Sequence, residues 1–520
     1  MISSALTQAR PLWRSAPVLS LALLIGCAVP SVAEKSTSSL SNAQAYALAN
    51  RLTWGATTST VASLQTIGSE AFLAAQLRPG QANELPAEVQ AQIDSMRIVQ
   101  VPLVNLVQDM EQRNKDLNAI TDDDAKKAAQ QAYQMEMNRL AREAATRHVL
   151  RALYSPHQVQ EQMTWFWLNH FNIHQGKRNL RAMVGDYENT AIRPHALGKF
   201  RDLLGSVVKH PAMLRYLDNE QNAVGRLNEN LARELMELHT LGVDAGYTQN
   251  DVQEMARVLT GVGTNLSTNT PGLRRELQNF YVRRGLFEFN PARHDFGSKT
   301  LLGQPLRSRG LGELEEALDR LAKSPSTAKF ISRKLVTYWL TDDPPQPLVD
   351  AMAQAFERSD GDIASTLDVL FTSSEFSKSD HSKFKDPMRF VVAAVRLAYD
   401  EKTVRNVGPM LNWLNRLGEP LYGRATPDGY ALQSAAWASP GQLTTRFEVA
   451  KAIASGNAGL FRTEGPQAQE RPAFPQLANA LYYQSIVKTL GPATRQALEQ
   501  ATSQQEWNAF LLSSPELMYR

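Results

Sequence analysis

The chain has 520 residues, 55 basic against 52 acidic side chains, a hydrophobic fraction of 43% and a single cysteine. The near-neutral balance argues against nucleic acid as a partner, and the apolar content is ample for a core. One cysteine excludes an internal disulfide framework.

Arg10 and Arg14 precede an apolar run from Val18 to Ala28, with no acid before Glu34. That is the layout of a secretory signal over residues 1–33, and the run is too short for a comfortable membrane span. Two cleavage points compete. Ser31-Val32-Ala33 fits a small-residue site after Ala33, releasing a soluble protein, whereas Leu24-Ile25-Gly26-Cys27 resembles a lipoprotein box, with cleavage before Cys27 and lipid on that thiol. The expected location is the periplasm or a lipid anchor at the cell envelope. Losing the leader removes two arginines and no acid, so the balance stays near neutral.

Residues 34–41 read as a Ser-rich tether. Helical spacing of apolar residues follows over 43–52, 59–77 and 86–113. Thr121 is placed to cap a long helix over 125–153, with Asp122, Asp123 and Asp124 in its first turn, where negative charge suits the dipole. Pro156 opens the next helix, predicted to run to Gly176. Further helices are expected at 194–209, 211–217, 230–241 and 249–259. Residues 264–303 break the pattern, with a short β-hairpin near 278–290 across Arg283-Arg284-Gly285. Helices resume at 312–322, 325–340, 345–358, 363–372 and 387–399. Residues 420–441, rich in Pro, Gly and aromatics, read as an ordered loop, and 475–519 return to helices. No fixed-period repeat is present. The fold expected is mainly α, one large irregular helical domain over residues 42–520.

Two polar segments stand out. In the first, Asn230, Arg233, Glu234, Glu237 and Leu241 share one stripe of a helix at about 100° per residue, beside an apolar face of Leu231, Leu235 and Leu238. Glu234 and Glu237 can then present their carboxylates to one point, while His239 projects from nearly the opposite side. The pair is a candidate for general acid and base chemistry, since like charges held close push pKa values apart. The competing reading, favoured for Glu234 and left open for Glu237, is a structural ion network with Arg233, Arg193 or Arg257. In the second, His170 and His174 at i and i+4 share a face with Trp167 and Phe171, the spacing used by zinc helices. Phe171 stands where a metalloprotease helix needs glutamate. A third ligand would come from Glu237, Glu234, His239, His195 or His294, giving a His/carboxylate site for Zn, Fe or Mn. The competing reading is a pair of core histidines, hydrogen-bonded among aromatics. His294 and Asp295, ahead of Gly297 and Lys299, form a third candidate in a loop suited to an anion or to closure over a site. There is no G-x-S-x-G elbow, Gly-rich phosphate loop or C-x-x-C-H haem attachment in the sequence.

The chain resembles the bacterial domain of unknown function 1800 family. The resemblance rests on Arg51-Leu52-Thr53-Trp54-Gly55, Phe166-Trp167-Leu168-Asn169-His170-Phe171, Asn230 to Glu234 with Glu237 to Gly242, Tyr247-Thr248, Arg293-His294-Asp295 with Gly297 and Lys299, and the region of Pro427, Gly429, Trp437 and Arg446. It covers the chain from about Asn42 to its end. Such proteins are typically exported and often encoded beside a second exported family similar to alkaline phosphatases or sulfatases, which implies a partner and no activity. One departure is visible: Ala47-Leu48-Ala49 stand where members commonly carry a His-Leu-Leu pattern. Two functions remain open, a helical binding or scaffold protein acting with a co-exported partner, and an exported hydrolytic enzyme with a composite His/Glu site.

Overall fold

Asp122 caps the longest helix, Asp123–Tyr154, accepting a hydrogen bond from the Ala125 amide, with Asp123 and Asp124 in the first turn. The cap lies one residue beyond the expected Thr121, and the same dipole argument explains both acids. The helix is exposed over its first turns and buries side chains only from Met137 onward, so its apolar stripe covers half its length. The computed structural model describes residues 40–80, 85–379, 383–400, 402–462 and 474–520. The signal, Cys27 and the tether as far as Ser39 lie outside them.

Gln158–His170 is buried nearly all round, from Val159 through Trp165, Phe166, Trp167 and Leu168 to His170, which marks it as the central helix. The Trp167 indole donates to the Ala196 carbonyl at 3.0 Å, so its one polar atom is satisfied. This helix stops at His170 instead of continuing to Gly176. Beyond it the backbone is claimed by a distant loop: the Asn172 amide group donates to the carbonyls of Arg424 and Thr426 at 3.0 and 2.8 Å, and the Gln175 N–H donates to the Tyr422 carbonyl.

Around that axis the remaining helices pack in irregular layers. Pro325–Trp339 lies against Gln346–Arg358, and that helix against Ile363–Phe371; Pro440–Ala454 packs on Gln504–Leu512. The helix expected from Pro194 begins only at Phe200–Lys209. Its lead-in is a π-helical turn, Tyr187–Ile192, followed by the 3₁₀ turn Arg193–His195. The expected hairpin is present as β2 (Val282–Arg284) and β3 (Phe287–Phe289), antiparallel with Val282 opposite Phe289. A third strand, β1 (Val262–Thr264), pairs with the other edge of β3, giving the order β1-β3-β2. The fold is thus mainly α with a small antiparallel sheet, and residues Ser39–Arg520 form one compact unit. Among the described residues no helix is long and apolar enough to cross a membrane.

Several buried cations are held by aromatic faces. The Arg389 guanidinium lies 5.3, 5.0 and 5.6 Å from the rings of Trp54, Tyr338 and Trp339, and Arg446 sits 4.6 and 4.8 Å from Phe384 and Phe390. Aromatic quadrupoles offset part of the cost of desolvating such charges. Trp54 and Arg446, two of the motif residues, therefore act in packing.

Candidate functional site

The end of Gln158–His170 is where chemistry collects. Asn169 clamps the 420s loop, its side chain donating to the Tyr430 carbonyl at 2.9 Å and accepting from the Tyr430 N–H at 2.5 Å. Tyr216 adds a hydrogen bond from its hydroxyl to the Ala425 carbonyl at 2.8 Å. Gly429 closes the turn at φ +75°, and a Cβ there would run into the Asn169 carbonyl oxygen, so glycine is required twice over. The clamp presents Asp428 at the exposed loop tip.

His170 is fully spoken for. Its Nε2–H donates to the His239 carbonyl at 3.0 Å, which fixes the tautomer and leaves Nδ1 to accept from the Lys334 ammonium at 2.9 Å. Burial, then the Lys334 charge and His239, hold its pKa well below the usual histidine range, so the ring is neutral at physiological pH. His239, 1% exposed, is held down to about 3 by burial and then Lys334. Both of its ring nitrogens are buried without a hydrogen-bond partner among the described residues. The helix carrying it ends at Glu237, after which the His239 N–H bonds back to the Glu234 carbonyl in a widened turn. The ring thereby reaches the cluster, 5.9 Å from His170 and 5.1 Å from Phe171 between centroids. An unbroken helix would have sent it elsewhere.

Lys334 comes from Pro325–Trp339 and is half-buried, with its ammonium over the Phe330 ring at 5.4 Å. Burial brings its pKa down to about 8, against the opposing pull of Asp428. Glu234 and Glu237 are half-buried too. Neither carboxylate has a hydrogen bond or ion pair among the described residues. The arginines expected to pair with them are occupied: Arg233 by Glu229 at 2.9 Å, Arg193 by Glu161 at 2.5 Å, and Arg257 by Glu254 and Asp295 at 2.6 and 2.8 Å. The ion-network reading of this pair is therefore corrected. Burial, then Glu237, raise the Glu234 pKa against the opposing charge of Arg233, with Asp428 adding to the rise, and Tyr216 is raised by burial and then by Glu234.

The His170, His174 and Glu237 set does not fit a metal. His174 lies past the helix end in a turn, so the shared i, i+4 face is lost. At His170 the chain's own cation takes the metal's place on Nδ1. Among the described residues no group of three or more His, Cys, Asp or Glu side chains is placed to hold a metal ion.

His294 and Asp295 stand apart from this cluster, closed on internal partners. The His294 Nδ1–H donates to the Thr260 carbonyl at 2.7 Å while Nε2 faces Glu313 at 3.4 Å. Lys299 reaches Glu313 at 2.5 Å and Asp295 pairs with Arg257. Burial alone would raise the Glu313 carboxyl, but hydrogen bonds from His294 and Lys299 outweigh it and hold it below its usual range. The buried Lys299–Glu313 pair and the part-exposed Arg257–Asp295 pair tie this loop to the elements beside it.

Sequence reasoning missed another cluster, in the core. Glu188, 0% exposed, lies in the π-helical turn, where it meets His148 Nδ1 at 3.2 Å and accepts from the Tyr422 hydroxyl. Burial pushes its pKa up, yet His148, Arg147 and Tyr422 together bring it to about 2. Tyr422 holds φ +56°, an uncommon conformation for a bulky residue. Lys334 and Asp428 were also missed, since each looks like an ordinary surface charge in its own segment. A cleft of about 790 Å³ beside Arg139 and Arg405 contains none of these groups.

A family model described as "Protein of unknown function (DUF1800)" matches residues 47–519. The chain belongs to this family. No curated protein and no solved structure matches it. In this DUF1800 chain, Asn169, His170 and His239 of the family motifs meet with Gly429 at one end of the central helix, Glu234 is near enough to Asp428 of the same loop to feel its charge, and Trp54, His294 and Arg446 serve packing or internal ion pairs.

Proposed function

We propose that this chain is an exported helical binding protein, periplasmic or lipid-anchored at the cell envelope, that acts with a co-exported alkaline-phosphatase-like or sulfatase-like partner. Recognition centres on Glu234 and Glu237, which take a cationic group of the partner. The observation that carries this reading is that neither half-buried carboxylate has an ion pair or hydrogen bond among the described residues, Arg233 acting on Glu234 only at a distance, a costly arrangement that a bound cation relieves. Export and partner rest on the leader and the family resemblance. Co-purification of the mature chain with the co-exported partner tests the reading: the wild type co-elutes, and Glu234→Gln/Glu237→Gln does not while remaining folded. Equal retention of the double variant overturns it.

A second reading follows from Lys334. An amine with a pKa of about 8 beside a neutral imidazole of fixed tautomer is suited to proton transfer. The hydrolytic alternative then runs without the metal, using Lys334 and His170 with Glu234. Turnover of chromogenic aryl esters, phosphates or sulfates that disappears in Lys334→Met favours it, and no turnover of any of them counts against it.

A further inference from the structure

Away from that cluster, a cavity of about 260 Å³ lies between the segment around residues 93–106 and the inner half of Asp123–Tyr154. We propose that it is a binding site for a small organic carboxylate with a short apolar body, held by Arg147 and Arg151.

The two arginines are four residues apart on one helix, so their guanidinium groups lie side by side on its face. Arg147 is only 3% exposed; one of its terminal nitrogens donates to the Gly185 carbonyl, and its Nε is buried with no partner. Arg151 has a buried Nη1 without a partner and makes no hydrogen bond or ion pair among the described residues. Nearby acids are already engaged. Glu161 takes three hydrogen bonds from Arg193 at 2.5, 3.1 and 3.2 Å, Glu188 is held by His148 and Tyr422, and Asp186 takes the His210 ring at 3.0 Å. Burial, and after it Arg193 and Arg147, lower the Arg151 pKa to about 10, so it is still charged at neutral pH. Arg147 is buried and Arg151 half-buried; Glu188 and Asp186 feel the charge of Arg147, and Glu161 and Glu188 that of Arg151, but none of these acids hydrogen-bonds either guanidinium among the described residues, so a bound anion takes the N–H groups left without a partner.

The lining sets the ligand's class. A guanidinium fork matches a carboxylate or a phosphate in bidentate fashion. Asp94 and Asp186 also line the cavity and disfavour a second negative charge, which selects a monoanion over a phosphate dianion. Ile98, Leu103 and Leu106 form an apolar wall that accommodates a short hydrocarbon body. The volume is below that of most drug-sized pockets, which limits the ligand to a small acid.

Titration calorimetry of the mature chain with hexanoate and benzoate, against inorganic phosphate and sodium chloride at matched ionic strength, tests the assignment. One of the two carboxylates binds saturably and raises the melting temperature, while phosphate and chloride do not. Arg151→Gln weakens that binding by at least about tenfold, the loss expected for one charge-assisted hydrogen bond. Because Arg151 has no internal partner, the variant folds; Arg151→Lys, which keeps the charge without the fork, gives an intermediate affinity. Absence of carboxylate binding, tighter binding of phosphate, or unchanged affinity in Arg151→Gln overturns the proposal.

Discussion

Glu234→Gln separates a carboxylate kept for a partner from one that holds the fold together. The substitution preserves shape and removes one negative charge. In the folded protein that charge is half-buried, lies three residues from Glu237 and feels Asp428, while Arg233 is engaged by Glu229. Like charges at this spacing destabilise a helix by about 0.2–0.5 kcal/mol, and partial burial brings the total to the order of 1 kcal/mol once solvent screening is allowed for. The sign follows from linkage. A carboxyl whose folded pKa is raised contributes stability below its unfolded pKa, near 4.3, and loses that contribution as pH rises through the folded value. Glu234→Gln therefore stabilises the protein at pH 7, and the gain vanishes below about pH 4, where wild-type Glu234 is itself neutral. Urea unfolding of the mature chain at both pH values reads the difference as a shift in midpoint. A loss of more than about 1 kcal/mol at pH 7 refutes the reasoning, because it means the carboxylate accepts stabilising hydrogen bonds after all.

Other substitutions probe the supports of the site. Glu188→Gln costs a few kcal/mol, roughly, at pH 7, since it leaves His148 and Arg147 without their buried counter-charge. The wild type loses that contribution as pH falls from about 5 toward the folded pKa of about 2, which acid-unfolding curves of the two proteins show by converging. Lys299→Met strands Glu313 beside His294 and lowers stability by about 3 kcal/mol, measured by urea midpoint. Gly429→Ala costs at least about 1 kcal/mol, through its positive φ and its collision with Asn169. Limited proteolysis detects this variant as faster cleavage within residues 420–430.

Local spacing made the helices readable because each element carries its own apolar period and caps, as at Asp122 and over Gln158–His170. It failed where a distant segment decides the outcome. His170 and His174 share a face only if the helix continues, and it stops because Asn172 and Gln175 bind residues some 250 positions away. His239 lies beyond the helix, which ends at Glu237 before a widened turn, so its place beside His170 and Phe171 could not be read from helical spacing. Lys334 sits in an ordinary amphipathic helix, and nothing in that stretch signals that its ammonium ends on His170. Glu234 and Glu237 were visible as a stripe, but tertiary packing alone decides that Arg233, Arg193 and Arg257 pair with other acids. Glu188 carried no linear signal, because its turn is π-helical and its partners come from two other segments.

The polar centre is built on a lysine of lowered pKa bound to a neutral histidine. Competitive amine labelling of the mature chain across a pH series, resolved by mass spectrometry at Lys334, tests it directly. Lys334 titrates at about 8, and His170→Ala, which removes its hydrogen-bond acceptor, alters that value. Titration near 10.4, the value of a free lysine, contradicts the account.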